Sequence, residues 1–299
     1  ATISFGRIDG IPVGAHWSAL VVVVLLGELL ALNVLPGMAP GHTPATYLLA
    51  GAAGAAVFAL SLLAHEVAHA IVARRAGLGV RSITLWLLGG VSELVEQPER
   101  PGTEIRVALV GPLVSLGLAG IFGAAGWAAA AVGAQALVTA VLVWLATVNL
   151  MLGIFNLLPG TPLDGGRVLH GLVWRRTGDR ELATRSAAGA GQFLGAVVAG
   201  LGVLLLFNGR LDGLWLVLVG WFLTGAAAGE RVHGVMTERL AGLVASDLMR
   251  REPSFAPGWW TVTALIDHLL GPAAPQAEVF PVIDFQGKPI GWLTLADLA

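Results

Sequence analysis

The sequence predicts an α-helical polytopic membrane protein with about six transmembrane helices, a membrane-associated β-hairpin and a small α/β tail. Hydrophobic residues make up 56% of the 299 residues and charged residues only 12%, whereas soluble proteins average about 25% charged residues. Several apolar runs are long enough to cross a bilayer at about 1.5 Å per residue. The composition becomes that of a soluble module after residue 243.

The predicted spans follow from the apolar runs and from the breaks between them. Glycine, proline and charged residues punctuate the chain between these runs and mark the ends of helices. A strand or an ordered loop is expected before the first span. The expected spans are residues 17–35, 45–76, 104–131, 135–158, 187–207 and 212–229.

The basic residues predict the orientation in the membrane. When successive loops are assigned to alternate sides, every one of the 17 Lys and Arg residues except Arg210 falls on one side. Because loops rich in Lys and Arg stay in the cytoplasm, both termini are expected there. Lys288 is the only lysine among many Ala and Gly, a composition that favours a prokaryotic origin.

Residues 80–96 are too short and too interrupted for another span, and a β-hairpin is expected there. Gly89 and Gly90 lie between its two β-prone runs and predict the turn. The open edge of such a hairpin could accept an extended substrate segment as an added strand. The hairpin could equally do no more than cover the helices, and the sequence favours neither reading.

The sequence Ala-His-Glu-Val-Ala-His-Ala at residues 64–70 predicts a metal site inside the second span. His65 and His69 are four residues apart, so both imidazoles project from one face of a helix and can reach one ion. In zinc hydrolases the adjacent carboxylate, here Glu66, takes a proton from metal-bound water. Three ionisable groups inside a membrane are costly, which indicates a functional site.

A third ligand is expected from the broken end of the fourth span. Two prolines and three glycines interrupt residues 159–166, and Asp164 lies in that break. A carboxylate completes sites that have two histidines, although Asp164 could instead cap the next helix. The chain has no cysteine, so thiolate ligands are excluded. A net charge of −2 without a basic tract argues against nucleic acid as a partner.

Two other function classes remain open at this point. A transporter or channel could use the same histidines and carboxylate to line an ion path. A zinc-stabilised scaffold without activity could bind membrane partners, but a structural zinc site has no need of a base such as Glu66.

Three motifs, in this order, resemble those of the site-2 protease family of intramembrane zinc metalloproteases. They are His-Glu-Val-Ala-His at 65–69, Gly-Pro at 111–112, and the stretch from Asn156 to Gly166 that reads Asn-Leu-Leu-Pro-Gly-Thr-Pro-Leu-Asp-Gly-Gly. The resemblance covers residues 1–230, which we define as the protease domain, followed by a linker at 231–243.

The resemblance implies a role for each matching residue. His65, His69 and Asp164 would bind one zinc ion, Glu66 would be the general base, and Asn156 would hold or polarise the scissile carbonyl. The partners would be single-span transmembrane proteins cut within the lipid bilayer of the cell membrane, often to release a membrane-tethered regulator.

Residues 244–299 resemble a single CBS repeat, with a strand, a turn, a second strand and a helix start. Thr294 and Asp297 match positions that often contact the ribose of an adenine nucleotide, which is the cofactor this resemblance suggests. Such repeats work in pairs, so either a truncated chain or a homodimer that pairs two tails would account for the single repeat.

Overall fold

The computed structural model describes residues 2–86, 89–94, 98–240, 243–249, 254–270, 279–294 and 297. Contacts divide the chain into two units, Ala1–Arg239 and Leu240–Ala299. Among the residues described, six helices are long and apolar enough to cross a membrane. The multi-pass helical fold expected from the composition is therefore confirmed.

The spanning helices of the first unit are α1 (Trp17–Met38), α2 (Pro44–Arg75), α3 (Pro101–Ala131), α4 (Ala136–Asn156), α6 (Arg180–Phe207) and α7 (Gly213–Leu240). A shorter helix, α5 (Asp164–Thr177), lies between α4 and α6. In α1 a π-helical turn occupies Leu30–Val34. The helix α7 continues to Leu240, so residues 231–240 are helical where the sequence predicts a linker.

A four-stranded sheet packs beside the helices. Its strands are β1 (Thr2–Ile8), β2 (Ile11–His16), β3 (Val80–Trp86) and β4 (Gly89–Leu94), in that spatial order. The pairs β1–β2 and β3–β4 are antiparallel, whereas β2 and β3 are parallel. The N-terminal strand thus belongs to a hairpin that extends the predicted one.

The position of the predicted turn is corrected by the register of the second hairpin. Gly89 pairs with Trp86 and Gly90 with Leu85, so both glycines belong to β4. The connecting residues 87–88 and the predicted end of the hairpin at 95–96 lie outside the described residues. Glycine has a low strand propensity and is common in turns, so the two glycines favour a turn in the sequence even though they lie in β4.

Two of the buried clusters in the described part of the first unit fix neighbours of α2. Leu30, Leu35, Tyr47 and Leu137 join α1, α2 and α4. Ile11 and Ile83 of the sheet pack on Ala70, one residue beyond His69. The second cluster fixes the sheet against the half of α2 that carries the two histidines.

The second unit contains a small sheet and two short helices. Its elements are α8 (Ala245–Leu248), β5 (Ala256–Pro257), α9 (Val262–Leu270), β6 (Val279–Ile283) and β7 (Pro289–Thr294). The strand β6 pairs in parallel with β5 and antiparallel with β7. The strand, turn and strand expected in the tail are therefore present.

Candidate metal centre

The two histidines of the motif lie on one face of α2 and are buried. His65 is 3% exposed and His69 is 7% exposed, and their ring centroids lie 4.8 Å apart. The Nε2 atoms of the two rings approach to 3.1 Å. This arrangement follows from their spacing of four residues, which is slightly more than one helical turn.

Asp164 brings a carboxylate to the same point. Its Oδ2 lies 3.1 Å from His65 Nε2 and 3.3 Å from His69 Nε2. The N-cap residue of α5 is Leu163, without a side-chain cap, and Asp164 is the first helical residue. The carboxylate thus faces the histidines across 99 residues of sequence, and the capping alternative is not supported.

The other nitrogen of each ring is held by α3. The Nδ1 atom of His69 donates to the carbonyl oxygen of Val107 at 2.7 Å. The Nδ1 atom of His65 lies 2.9 Å from the hydroxyl of Ser115, which is fully buried. Hydrogen bonds of this kind fix the orientation and tautomer of histidines that bind metals through the opposite nitrogen.

Gly111 lets α3 come close enough to make those hydrogen bonds. A Cβ atom at this position would lie 2.6 Å from His65 Nε2 and closer still to His69 Nε2. Val107, Gly111 and Ser115 are spaced by four residues, so they share one face of α3. The Gly-Pro motif at 111–112 therefore marks a close helix contact directly against the candidate site.

The three groups fit a zinc ion. The candidate ligand atoms of His65, His69 and Asp164 lie within 4.8 Å of one another. Two ligands of a tetrahedral zinc ion, each at about 2.1 Å, are about 3.4 Å apart, close to the 3.1 to 3.3 Å found among these atoms. Two imidazoles and one carboxylate also form a donor set that catalytic zinc uses, with one position left open.

Glu66 and Asn156 are the two residues predicted to act beside the metal ligands. Glu66 follows His65 directly on α2 and is half-buried. Asn156 is the last residue of α4 and is half-buried, and its amide donates to the carbonyl of Leu152 at 3.0 Å. This hydrogen bond keeps the amide of Asn156 on its own helix.

Thr294 and Asp297 are brought together in the tail. The hydroxyl and the backbone amide of Thr294 donate to Asp297 Oδ2 at 2.7 and 2.8 Å. The hydroxyl hydrogen bond is the main cause that holds the pKa of the exposed Asp297 below its ordinary value. These contacts join the two predicted residues to each other, and nucleotide binding stays a prediction.

Comparison with known proteins places the chain in a family. Residues 53–131 and 125–201 match the model of Peptidase family M50. "Putative zinc metalloprotease Rip3" of Mycobacterium tuberculosis is 43% identical over 298 residues, which are 99% of this chain and 75% of the relative. The chain belongs to peptidase family M50, the site-2 protease family.

Two further comparisons agree with the M50 assignment. "Zinc metalloprotease MJ0392" of Methanocaldococcus jannaschii is 29% identical over 80% of this chain and 66% of the relative. The solved structure of a site-2 protease from the same organism superposes with a TM-score of 0.50 at 26% identity, covering 77% of this chain and 95% of that one. As an M50 member the chain is a multi-pass, intramembrane zinc metalloprotease.

Sequence reasoning missed the groups that support the M50 site from α3. Ser115 is one serine in a long apolar helix, and the group that orients His69 is a backbone carbonyl of Val107. The available signal was the four-residue spacing that puts Ser115 on the same face as Gly111.

Proposed function

We propose that His65, His69 and Asp164 hold the zinc ion, and that Glu66 is the general base of peptide hydrolysis. The observation that carries this proposal is the convergence of ligand atoms from two buried histidines and the half-buried Asp164 within 4.8 Å, although His65 and Asp164 are 99 positions apart in the sequence. Bound zinc supplies a Lewis acid and lowers the pKa of a coordinated water to about 7.

Each neighbouring residue then has a defined task. The carboxylate of Glu66 takes a proton from the attacking water and delivers it to the amine that leaves. Val107 and Ser115 keep the two imidazoles aimed at the ion. Asn156 gives up its hydrogen bond to Leu152 and donates to the scissile carbonyl, which positions the substrate.

The substrates are single-span transmembrane segments of other proteins, including membrane-tethered regulators that cleavage releases. A helical segment shields its carbonyls, so it must unwind before it is cut, and helix-breaking residues near the cut favour cleavage. The strand β4 lies at one edge of the sheet and β1 at the other. An unwound segment pairs with the edge of β4, which holds it extended.

Successive amides of a strand point to opposite sides, which gives a test of this clamp. Of two separate variants, Val91→Pro and Ser92→Pro, one removes an amide from the open edge and the other removes one that faces β3. The edge variant is expected to cut a helical substrate poorly and an already unwound peptide normally. Equal losses on both substrates would contradict the clamp.

Charge supports a cytoplasmic location for both termini in a prokaryotic cell membrane. The one basic residue on the opposite side, Arg210, is paired with Asp212 at 2.6 Å. Water reaches the zinc through a polar cleft from the cytoplasm, since hydrocarbon does not supply it. Residues 244–299 act as a CBS-like module in which Thr294 and Asp297 contact an adenine nucleotide, and two tails pair in a homodimer.

Metal content and cleavage measured together test the proposed function. In detergent the wild type and Glu66→Gln are expected to bind about one zinc per chain, and only the wild type to cut a single-span reporter. Glu28→Gln, which changes an exposed carboxylate of α1, is the matched control and retains cleavage. If Glu66→Gln lost its zinc, Glu66 would be a metal ligand and not the general base. If this variant still cut the reporter, Glu66 would be excluded as the base.

A further inference from the structure

A cavity with several charged side chains lies within the first unit, apart from the metal centre. Its volume is about 390 Å³, and its walls come from α3, α5, α6, α7 and the loop before α5. None of His65, His69 and Asp164 is among its described lining residues. The proposed zinc site and the proposed general base therefore do not account for this cavity.

The charged groups of the cavity favour an anion. Three arginines, Arg167, Arg180 and Arg231, line it together with two glutamates. One of these, Glu104, already has a partner in His170, whose Nδ1 lies 2.9 Å from the carboxylate. The other glutamate, at position 230, is also engaged by a neighbour.

One arginine is fixed in place and another has no partner. Arg180 donates to the carbonyl of Pro98 at 2.9 Å and stacks on the ring of Trp174 at 4.4 Å. Arg167 is half-buried and makes no hydrogen bond or ion pair with the residues that the structure describes. A guanidinium held at a cavity wall without a counterion is suited to bind an oxyanion.

A buried hydroxyl points to the same ligand. Thr161 lines the cavity and is 6% exposed, and its Oγ1 has no hydrogen-bond partner in the described part of the chain. A buried hydroxyl without a hydrogen-bond partner lowers the stability of the fold, unless a bound ligand supplies the missing hydrogen bond. Thr184, whose hydroxyl lies 3.3 Å from His170 Nε2, also lines the cavity.

We propose that this cavity is a binding site for a phosphate group, held by Arg167, Arg180 and Thr161. Arginine and hydroxyl donors recognise the tetrahedral oxygens of phosphate, and basic pockets between transmembrane helices bind anionic lipid headgroups. The phosphate group belongs either to an anionic phospholipid or to a soluble phosphate compound. The cavity is larger than one phosphate ion, which leaves room for the group that carries it.

Occupancy of this site is coupled to the metal centre through the loop before α5. Thr161 lies three residues before Asp164. Its amide donates to the carbonyl of Ala187 on α6 at 3.2 Å, so the loop already rests on α6. A phosphate group bound by Thr161 and by Arg167 of α5 would hold the loop and the helix that position the carboxylate of Asp164.

The test measures ligand binding to the full chain in neutral detergent by the shift of its thermal midpoint. The probes are inorganic phosphate against chloride at equal ionic strength, and phosphatidylglycerol against phosphatidylcholine. The variants are Arg167→Gln and Thr161→Val, with Arg176→Gln as the control, because Arg176 is exposed on the same helix and lines no described cavity. Zinc content verifies the fold, and Thr184→Val replaces any variant that loses its zinc.

The wild type and Arg176→Gln are expected to show a saturable rise in midpoint, and the cavity variants to need about tenfold more ligand. A rise with inorganic phosphate identifies a soluble ligand, and a rise with phosphatidylglycerol alone identifies a lipid headgroup. The proposal is overturned if neither probe raises the midpoint, or if the cavity variants respond like the wild type. Because binding is measured without substrate, this result is independent of the protease activity.

Discussion

Among its described residues, the first unit contains two clusters in which a histidine lies beside a carboxylate. In the first, the Nε2 atoms of His65 and His69 and the Oδ2 of Asp164 lie 3.1 to 3.3 Å from one another. In the second, His170 Nδ1 lies 2.9 Å from Glu104, and its Nε2 lies 3.3 Å from the hydroxyl of Thr184. Both clusters are largely buried, and both join helices that are far apart in the sequence.

The difference between them lies in which ring nitrogens remain for an ion. In the first cluster, residues of α3 hydrogen-bond the two Nδ1 atoms. The two Nε2 atoms are left to converge on one carboxylate oxygen. In the second, both nitrogens of His170 are already hydrogen-bonded, and no second imidazole approaches within the described residues. Burial of a histidine beside a carboxylate is therefore not sufficient for a metal site, since convergent lone pairs are also needed.

The largest expected effect comes from filling the space between α3 and the histidines. Gly111→Ala places a methyl group against both Nε2 atoms, so zinc affinity should fall by about 100-fold or more and cleavage should be lost. Gly117→Ala is the matched control, because a Cβ there meets nothing within 4 Å. Zinc titration with a competing chelator measures both variants, and normal zinc binding by Gly111→Ala would contradict the geometry of the site.

A smaller effect is expected from the hydroxyl that orients His65. Ser115→Ala leaves the imidazole in place without its hydrogen bond, and zinc affinity should fall by about 10- to 100-fold while the fold is retained. Ser186→Ala is the control, because that hydroxyl bonds to a carbonyl of its own helix at 2.8 Å. If the two serine variants bind zinc equally well, Ser115 has no orienting role.

The fold could be predicted where the hydrophobic pattern is continuous. The six apolar runs correspond to the six candidate spans, with differences at their ends. The largest differences concern α6, which begins at Arg180, and α7, which continues to Leu240. Charged residues occupy these helix ends. The apolar run therefore stops before the helix does, and a prediction from hydropathy makes the helix too short.

The metal centre could be predicted only where a local spacing encodes it. His65, Glu66 and His69 follow from helical periodicity, and Asp164 from a break in an apolar run. The contacts of Ser115 with His65 and of Glu104 with His170 span 50 and 66 residues. Such pairs depend on how the helices pack against one another, and the periodicity of the sequence within one helix does not predict that packing.

The smallest effect, on stability alone, is expected in the second cluster. His170→Phe leaves the carboxylate of Glu104, a residue only 8% exposed, without its partner, which should cost about 1 to 3 kcal/mol of folding free energy. Adding Glu104→Leu removes the unpaired group, so the double variant should lose less than the sum of the single losses. Thermal midpoints and denaturation in detergent measure the cycle, and zinc content should stay at the wild-type level in all three variants. Additive losses would mean that the pair does not interact, whereas loss of zinc would mean that this cluster takes part in metal binding and that the contrast with the first cluster is wrong.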